Sequence, residues 1–349
     1  MNAVNEQQNR EGARLVPAAE GLEEAAERLQ SGRLVAFPTE TVYGLGANAL
    51  DAEAVAGIFT AKGRPASNPL IVHIADLADI FALIREWPDT AAALAERFWP
   101  GPLTLVLPKS AAVPDIATAG GDTVAVRMPS QPIALELLRR AGVPVAAPSA
   151  NRSEEVSPTT AEHVAASLGP FAPDLLILDG GPCSVGLEST VLDVTVTPPA
   201  ILRPGMLSAT DLEAVVGAVT TPPASPSIST GEQVVRSPGQ MTRHYAPRVP
   251  LVLTDTPLAH LQPGDGVLAW RFAALPDIAP EESGAALLIA MPADATGYAA
   301  RLYGALHELD AAGVTRILVE MPPDADSERH AWAAVHDRLR RAAAPKESA

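Results

Sequence analysis

Short apolar, β-branched segments alternate with amphipathic helix-like segments in two separate blocks of the chain. The first block runs to about residue 218, the stretch 221–230 is rich in Pro, Ser and Thr, and the second block begins after Pro247. Alternating strands and helices are typical of α/β folds, and a Pro/Ser-rich stretch is typical of a linker. In several places one strand-like segment directly follows another, which predicts a mixed rather than purely parallel first sheet. The sequence therefore predicts two α/β domains joined by a linker.

Changes in composition set the predicted domain boundaries. Residues 1–15 are predicted to be a flexible tail, 16–218 a larger domain, 219–247 the linker, and 248–345 a small βαβ-type domain. A length of 349 residues fits about two domains. The strands of the second domain are not followed by a Gly-rich fingerprint, so a dinucleotide site is not predicted there.

Composition and charge argue against several classes of protein. The formal net charge is −16, and tight binding to a nucleic-acid backbone depends on many Lys and Arg contacts. No apolar run approaches the roughly 20 residues that a membrane span needs, and the N-terminal segment lacks the basic and apolar regions of a signal peptide. The single Cys183 excludes an intramolecular disulfide and a Cys-based metal cluster. These features predict a cytoplasmic location and no membrane association.

Two motifs in the first domain place polar groups after a predicted strand or helix. PTETVYGLG, which contains Thr41, follows the apolar run that begins at Leu34, although an ordinary turn also explains its spacing. Lys62 and Arg64 lie at the predicted end of a helix for which Asp51 is the N-cap. This pair suits a phosphate clamp, because Arg offers a bidentate fork and Lys a compact charge, but it also suits the negative end of the helix dipole.

Further polar residues lie in or just after other predicted strands. Arg127 lies in a strand of otherwise buried character, so it needs either an acidic partner or an anionic substrate, such as a carboxylate. His73 lies in an apolar strand, where a histidine is more often a core residue than a functional one. Ser149 and Asn151 follow a buried strand, and Ser157 precedes a helix that it could simply cap.

Ser189 and Arg203 add polar groups at two more strand ends. Together with Lys62, Arg64 and Arg127, they predict a crevice that could bind a nucleotide triphosphate and a small carboxylate. The sequence contains no clear Ser–His–Asp, HExxH or paired-carboxylate pattern. Catalysis would therefore depend on charge stabilisation and positioning rather than on a covalent nucleophile.

The linker ends in the segment RSPGQMTRHYAP, which is unusually rich in ligand-like side chains. We predict that the turn at Ser237–Gly239 folds the chain back, so that Arg243, His244 and Tyr245 cover the nucleotide site as a lid. Such a lid would exclude water from a product prone to hydrolysis. The alternative is a structured strap between the domains.

The motifs PTETVYGLG, KGRPxxNPL, WPGPLTLVL, TVAVRMP, PSAN and STVLD…ILRPG resemble the threonylcarbamoyl-AMP synthases, the YrdC-like family, over roughly Ala18 to Leu212. The linker motif and the second domain resemble the long, two-domain form of this family. The resemblance implies a YrdC-like twisted, mixed open sheet with helices, followed by a small Rossmann-like domain. It also implies condensation of L-threonine, bicarbonate and ATP to L-threonylcarbamoyladenylate and pyrophosphate, with Mg²⁺ accompanying ATP. The product would pass to a partner transferase that modifies an adenosine beside the tRNA anticodon.

The resemblance also implies a role for each matching residue. The implied threonine contacts are Thr41, His73, Arg127, Ala147 and Ser189. The implied ATP contacts are Arg64, Asn68, Thr123, Ser149, Asn151, Ser157, Arg203 and Tyr245. Lys62 and Arg64 are the expected catalytic pair, and we expect no metal ligand from the protein.

Other functional classes stay open at this point. An RNA-binding protein is disfavoured, because acidic residues outnumber basic ones in the second domain as well as in the whole chain. A regulatory nucleotide-binding protein without turnover would need the same pocket. A carbamoyl-transfer maturation factor with a related domain is expected to carry zinc-binding cysteines, which a single Cys does not allow.

Overall fold

The computed structural model describes residues 12–221, 243–271, 286–322 and 329–345. The helices of the first domain are α1 (Ala18–Gln30), α2 (Ala52–Lys62), α3 (Asp89–Phe98), α4 (Pro132–Ala141), α5 (Ala161–Leu168) and α6 (Ala209–Val216). Its strands are β1 (Arg14–Pro17), β2 (Val35–Phe37), β3 (Gly44–Asn48), β4 (Ile71–His73), β5 (Leu103–Pro108), β6 (Thr123–Arg127), β7 (Val145–Ala146), β8 (Leu176–Asp179), β9 (Thr190–Asp193) and β10 (Ala200–Arg203). The second domain contains β11 (Leu251–Thr254), β12 (Asp265–Ala269), β13 (Leu287–Ala290), α7 (Ala295–Ala311), β14 (Arg316–Glu320) and α8 (Arg329–Ala342).

The first domain is built on one large sheet with the strand order β1-β8-β2-β3-β7-β4-β6-β5-β9-β10. The pairs β1/β8, β8/β2, β4/β6 and β5/β9 are parallel, and the other neighbouring pairs are antiparallel. The predicted mixed sheet is therefore confirmed. Apolar side chains of β2, β4, β5, β6 and β9 are buried against the helices, which explains the near-continuous apolar runs of these strands.

Helix α2 shows how local sequence sets the position of the Lys62–Arg64 pair. The Asp51 carboxylate accepts hydrogen bonds from the backbone N–H groups of Glu53 (2.9 Å) and Ala54 (3.2 Å), which fixes the start of the helix. Gly63 ends it in the left-handed region, with φ 61°. Lys62 is therefore the last helical residue, and Arg64 begins the loop that follows.

Three elements differ from the sequence-based expectations. Strand β1 begins at Arg14, two residues inside the segment predicted to be a tail. Residues 44–48, which begin in the PTETVYGLG segment, form β3 between β2 and β7 instead of a turn, and glycine is needed at position 46 because a Cβ there would lie only 2.8 Å from the Phe37 ring. Helix α6 was not predicted, although Ser208 and Asp211 form a capping box at its start.

The second domain contains a four-stranded parallel sheet with the strand order β11-β14-β12-β13. Helices α7 and α8 pack together, with Tyr298 and Trp332 in edge-to-face contact at 5.4 Å between ring centroids. The prediction of a small α/β second domain is confirmed. Among the helices described, none combines the length and the apolar character that crossing a bilayer requires.

The two domains share a buried apolar cluster beside the large sheet. Val42, Val156 and Leu187 of the first domain belong to the same cluster as Leu302 of α7 and Leu339 of α8. The approach is closest at Gly186, which has φ 79° and at which a Cβ would lie 2.6 Å from the carbonyl oxygen of Ala299. The loop before β9 therefore lies directly against α7.

Candidate functional site

A cavity lies at the ends of several strands of the large sheet, close to the contact between the domains. His73 and Arg127 are register partners at the ends of the parallel strands β4 and β6, so both side chains reach the same edge of the sheet. Eight of the predicted site residues line the cavity: Thr41, Arg64, His73, Arg127, Ala147, Ser149, Arg203 and Tyr245. Glu188 and His244 line it as well.

One side of the cavity is organised by Arg127. Its Nη1 donates a 2.9 Å hydrogen bond to the Thr41 hydroxyl, and its Nε donates to the Gly101 carbonyl at 3.2 Å. Its Nη2 lies 2.7 Å from the Glu40 carboxylate, and both side chains are buried. Burial opposes ionisation of Glu40, but the charge of the adjacent Arg127 outweighs it and holds the Glu40 pKa below its ordinary value.

The sequence predicted that Arg127 needs either an acidic partner or a substrate anion. Glu40 is that acidic partner. Sequence reasoning quoted the PTET motif but did not assign a role to this residue. The sequence signal for Glu40 was Arg127, a buried positive charge that needs a partner of opposite charge. The Thr41 hydroxyl also accepts a hydrogen bond from Arg127. The Arg127–Glu40 pair therefore fixes the position of the Thr41 side chain, which lines the cavity.

His73 supplies a neutral imidazole to the same side. Burial, together with the charge of Arg127, lowers its pKa to about 3. Its Nδ1 is buried and has no hydrogen-bond partner within the described part of the chain. The ring stands edge-on to Phe37, with the ring centroids 6.5 Å apart. A neutral histidine with an unused nitrogen can make a polar contact to a ligand without adding a charge.

The two members of the Lys62–Arg64 pair have different surroundings. Arg64 lines the cavity, and its guanidinium donates to the backbone carbonyls of Asn68 (3.2 Å) and Pro69 (3.0 Å). Burial lowers the Arg64 pKa to about 10, so the group stays charged at neutral pH.

Lys62 lies behind the cavity wall rather than among the lining residues. Its Nζ donates to the backbone carbonyls of Ser149 (2.6 Å) and Asn151 (2.5 Å). Burial, followed by the charge of Arg64, lowers the Lys62 pKa well below its ordinary value. In this structure Lys62 fastens the Ser149–Asn151 loop, and Arg64 is the member of the predicted clamp that faces the cavity.

Four other predicted ATP contacts, Asn68, Thr123, Asn151 and Ser157, do not line the cavity. The Asn151 side chain donates to the Glu155 carbonyl at 2.8 Å. Ser157 donates to the Glu188 carboxylate at 2.6 Å. Asn68 contacts Arg64 through its carbonyl, and Thr123 lies at the start of β6, at the other end of that strand from Arg127.

Arg203 and Ser189 form the far side of the cavity. Arg203 lines it and donates to both the carbonyl and the hydroxyl of Ser189, each at 3.1 Å. The Ser189 hydroxyl also lies 2.7 Å from the Thr104 hydroxyl. Ser189 therefore sets the position of the Arg203 guanidinium, and the threonine contact that the resemblance implies for Ser189 stays a prediction.

The end of the linker forms part of the cavity wall. His244 and Tyr245 are buried and line the cavity, and Tyr245 adopts a left-handed conformation with φ 60°. Burial lowers the His244 pKa to about 3, and the Tyr245 hydroxyl has no hydrogen-bond partner within the described part of the chain.

The same segment also contacts both domains, through the backbone of Ala246 and the side chain of Arg243. The Ala246 N–H donates to the Glu154 carbonyl at 2.8 Å, and Arg243 donates to the Ala344 carbonyl at 2.6 Å. The segment thus combines features of the predicted lid and of the alternative strap. The predicted turn at Ser237–Gly239 lies outside the described residues.

Glu188 is a second carboxylate for which the sequence predicted no role, although it directly precedes the predicted site residue Ser189. Burial opposes its ionisation, but Arg338 and Arg203 lower its pKa to about 2. Among the described residues, no three or more His, Cys, Asp or Glu side chains are grouped so that they could hold a metal ion.

Comparisons with known proteins identify the family of the chain. Residues 27–205 match the family model described as telomere recombination, which is named for Sua5, YciO and YrdC. Residues 207–344 match the model of the threonylcarbamoyl-AMP synthase C-terminal domain. The chain belongs to the threonylcarbamoyl-AMP synthase family. The resemblance seen in the sequence, including the two-domain form, is confirmed.

Relatives and solved structures place the chain within the threonylcarbamoyl-AMP synthase family in more detail. The threonylcarbamoyl-AMP synthase of Pyrococcus abyssi is 52% identical over 235 residues, which cover 67% of each protein. That of Schizosaccharomyces pombe is 36% identical over 369 aligned positions, covering 92% of this chain and 88% of the relative. The crystal structure of P. abyssi Sua5 complexed with L-threonine superposes with a TM-score of 0.81 at 42% identity, covering 92% of this chain and 94% of the other.

A second P. abyssi Sua5 structure, a variant in which neighbouring His and Tyr residues are replaced by Ala, superposes with a TM-score of 0.83 at 39% identity. The alignment covers 95% of this chain and 96% of the other. Because nearly the whole chain is matched, the family's two-domain arrangement applies to the chain described above.

Proposed function

We infer that this chain is a threonylcarbamoyl-AMP synthase, which condenses L-threonine, bicarbonate and ATP to L-threonylcarbamoyladenylate and pyrophosphate. The observation that carries this inference is a single buried cavity wall with Arg127 and Thr41 on one side and Arg64 and Arg203 on the other. The name shared by the relatives and the L-threonine complex of P. abyssi Sua5 support the same activity.

The Arg127 side is the proposed threonine site. The guanidinium would bind the substrate carboxylate, because it is held in a fixed orientation by Glu40 and by the Gly101 carbonyl. The Thr41 hydroxyl and the neutral His73 imidazole would make polar contacts to the amino acid. The small side chain of Ala147 leaves room beside them.

The Arg64 and Arg203 side is the proposed nucleotide site. The amine of threonine and bicarbonate would first give an N-carboxy species and water. A carboxylate oxygen of this species would then attack the α-phosphorus of ATP, forming an O–P bond while the bond to the pyrophosphate leaving group breaks. Arg64 and Arg203 would stabilise the negative charge that spreads over the phosphoryl oxygens. This step makes the enzyme a nucleotidyltransferase, and it needs no strong general base because the attacking carboxylate is already ionised.

Mg²⁺ belongs to this proposal as part of the Mg·ATP substrate, where it would neutralise phosphate charge. The two carboxylates nearest the cavity, Glu40 and Glu188, are both paired with arginines. The described residues therefore suit a Mg²⁺ ion held by phosphate oxygens and water rather than by protein carboxylates. A cytoplasmic location and transfer of the product to a tRNA-modifying partner belong to the same proposal.

The direct test is detection of the product. Purified protein is incubated with threonine, bicarbonate and Mg·ATP, pyrophosphate is quantified, and the mixture is analysed by mass spectrometry for threonylcarbamoyl-AMP. We expect both products only when threonine is present. ATP binding without pyrophosphate would instead indicate a regulatory nucleotide-binding protein, and tight, strongly salt-dependent tRNA binding without turnover would indicate an RNA-binding protein.

A further inference from the structure

Glu188 is the buried point at which the second domain meets the cavity wall. Its carboxylate accepts hydrogen bonds from Ser157 (2.6 Å) in the first domain and from Tyr303 (3.0 Å) on α7. It also accepts a 2.8 Å hydrogen bond from the Nε of Arg338 on α8, 150 residues away in the sequence. A carboxylate that lines the cavity is therefore held mainly by side chains from the other domain.

Arg338 contacts three separate segments of the wall. Besides Glu188, its Nη1 donates to the Pro204 carbonyl at 2.9 Å, directly after Arg203. Its guanidinium carbon lies 5.1 Å from the centre of the Tyr245 ring, which also stacks on Tyr303 at 5.8 Å. Arg338 is completely buried, so these contacts are shielded from water and salt.

The contacted segments are those that place the proposed nucleotide-binding groups. Ser189, the neighbour of Glu188, accepts hydrogen bonds from Arg203 through its carbonyl and hydroxyl, and Pro204 follows Arg203 in the chain. We propose that Arg338 and Tyr303 are positioning residues of the second domain, which hold the nucleotide side of the cavity in place through Glu188. This role rests on the proposed function, because it concerns the ATP site of the same reaction.

The charges around Glu188 explain why loss of Arg338 should affect the ATP side of the cavity more than the threonine side. The titratable groups that face Glu188 are Arg203 from β10, Tyr303 from α7, Arg338 from α8, and His244 and Tyr245 from the linker end, while Asp337 pairs with Arg338 itself at 2.8 Å. Without Arg338, Arg203 is left as the main cation beside the buried Glu188 carboxylate. We expect Glu188 to draw the Arg203 guanidinium away from a bound phosphate. Arg127 has its own partner in Glu40, so the threonine side should be little affected.

The experiment compares Arg338→Met with Arg316→Met by steady-state kinetics of pyrophosphate release. Arg316 is a matched control, because it also lies in the second domain and forms an ion pair, with Asp265 at 2.5 Å, but its hydrogen bonds go to Asp265 and His260 and not to Glu188 or the cavity wall. We expect Arg338→Met to raise the KM for ATP by about tenfold or more while the KM for threonine changes less than about twofold. The control should change neither value.

A pH profile separates positioning from loss of fold. Because Arg338 and Arg203 hold the Glu188 pKa at about 2, the wild-type KM for ATP should not change between neutral and mildly acidic pH on account of this group. In Arg338→Met the Glu188 pKa rises, so the KM for ATP should become pH-dependent over that range. The double variant Glu188→Gln/Arg338→Met should lose this dependence, and Arg338→Lys should recover part of the ATP affinity.

Tyr303→Phe is a milder variant that keeps the packed ring, and we expect it to raise the KM for ATP by a few-fold. Equal KM values for ATP in the wild type, Tyr303→Phe and Arg338→Met would overturn the proposal, as would a parallel rise in the KM for threonine. If Arg338→Met does not fold, Tyr303→Phe and Arg338→Lys decide the question. If the wild type forms no pyrophosphate, the proposed function fails, while calorimetric titration of ATP into the same variants still tests the positioning role.

Discussion

The guanidinium of Arg127 and the carboxylate of Glu40 lie 2.7 Å apart in a buried ion pair beside the cavity. Arg127 comes from the end of β6, and Glu40 from the loop after β2, so the pair joins two parts of the sheet that are not neighbours. Removing one member of a buried pair leaves an uncompensated charge, which costs far more than removing both. This asymmetry makes the pair a useful probe of the proposed threonine site.

Arg127→Met should raise the KM for threonine by at least about tenfold, because the carboxylate loses its partner and Glu40 remains as a buried negative charge. The free energy of unfolding should fall by about 3–5 kcal/mol. Glu40→Gln/Arg127→Met should recover much of this stability without recovering threonine affinity. Kinetics and urea unfolding measure both quantities, with the exposed Arg140→Met as the control. An unchanged KM for threonine would rule out the assigned site.

Lys62 and Arg64 should respond differently to substitution. Lys62→Met leaves the carbonyls of Ser149 and Asn151 without their donor, so we expect a loss of about 1–3 kcal/mol of stability. Arg64→Met should mainly raise the KM for ATP. Lys109→Met, which removes a lysine paired with Asp115 at 2.5 Å, is the control. If Lys62→Met keeps its full stability but loses kcat, Lys62 acts on the phosphates directly.

The Tyr245 hydroxyl should matter for nucleotide binding more than for folding. It is buried without a hydrogen-bond partner in the described part of the chain, so Tyr245→Phe should leave the unfolding midpoint unchanged or raise it slightly. We expect the KM for ATP to rise by a few-fold, since the predicted lid uses this group. Thermal unfolding and kinetics of the same preparation provide the comparison. An unaltered KM for ATP would favour the strap over the lid.

Two glycines with similar backbone conformations should differ in their tolerance of alanine. Gly186 (φ 79°) would place a Cβ 2.6 Å from the Ala299 carbonyl oxygen, whereas Gly181 (φ 77°) has no heavy atom within 4 Å of such a Cβ. Gly181→Ala should cost about 1 kcal/mol for its positive φ alone. Gly186→Ala should destabilise the protein more and also raise the KM for ATP, because it pushes the Glu188 loop away from α7. Equal effects of the two substitutions would contradict this account.

Stability should decrease in acid over two overlapping pH ranges. Burial lowers the pKa values of His73 and His244 to about 3, so the unfolded chain, with histidine pKa values near 6.5, binds more protons below that pH. Stability therefore falls as the pH drops from about 6.5 towards 3, by on the order of 1 kcal/mol per pH unit for each histidine. Glu188, with a pKa of about 2 instead of 4.5, adds a further loss as the pH falls from about 4.5 to 2.

Urea unfolding between pH 7.5 and 4, as approximate limits, measures the histidine range. His73→Gln should reduce the slope of unfolding free energy against pH, because one proton fewer is taken up on unfolding. His260→Gln, which removes an exposed histidine, is the control. A wild-type stability that stays constant over this range would show that the buried histidines are not neutral in the folded protein.

Local sequence was sufficient for most of the elements and for many residues of the cavity. Asp51 and Gly63 mark the two ends of α2, and the apolar runs of β4, β5 and β6 identify buried strands, because caps and side-chain periodicity act over a few residues. Polar residues at or near strand and helix ends pointed to one cavity, and six of those predicted line it. The family resemblance resides in these same short motifs.

The tertiary structure alone decided which charged side chains pair across long sequence separations. Glu40 and Glu188 gave no local signal, because their partners Arg127 and Arg338 lie 87 and 150 residues away. Glycine-rich residues 44–48 became a strand because two neighbouring strands supply their hydrogen-bond partners. The sequence by itself determined two α/β domains and predicted a nucleotide and carboxylate site in the first of them. The tertiary structure decided the rest, because a buried charge needs a partner and only the fold determines which partner lies near it. It placed Lys62 against the Ser149–Asn151 loop and the second domain against the cavity wall.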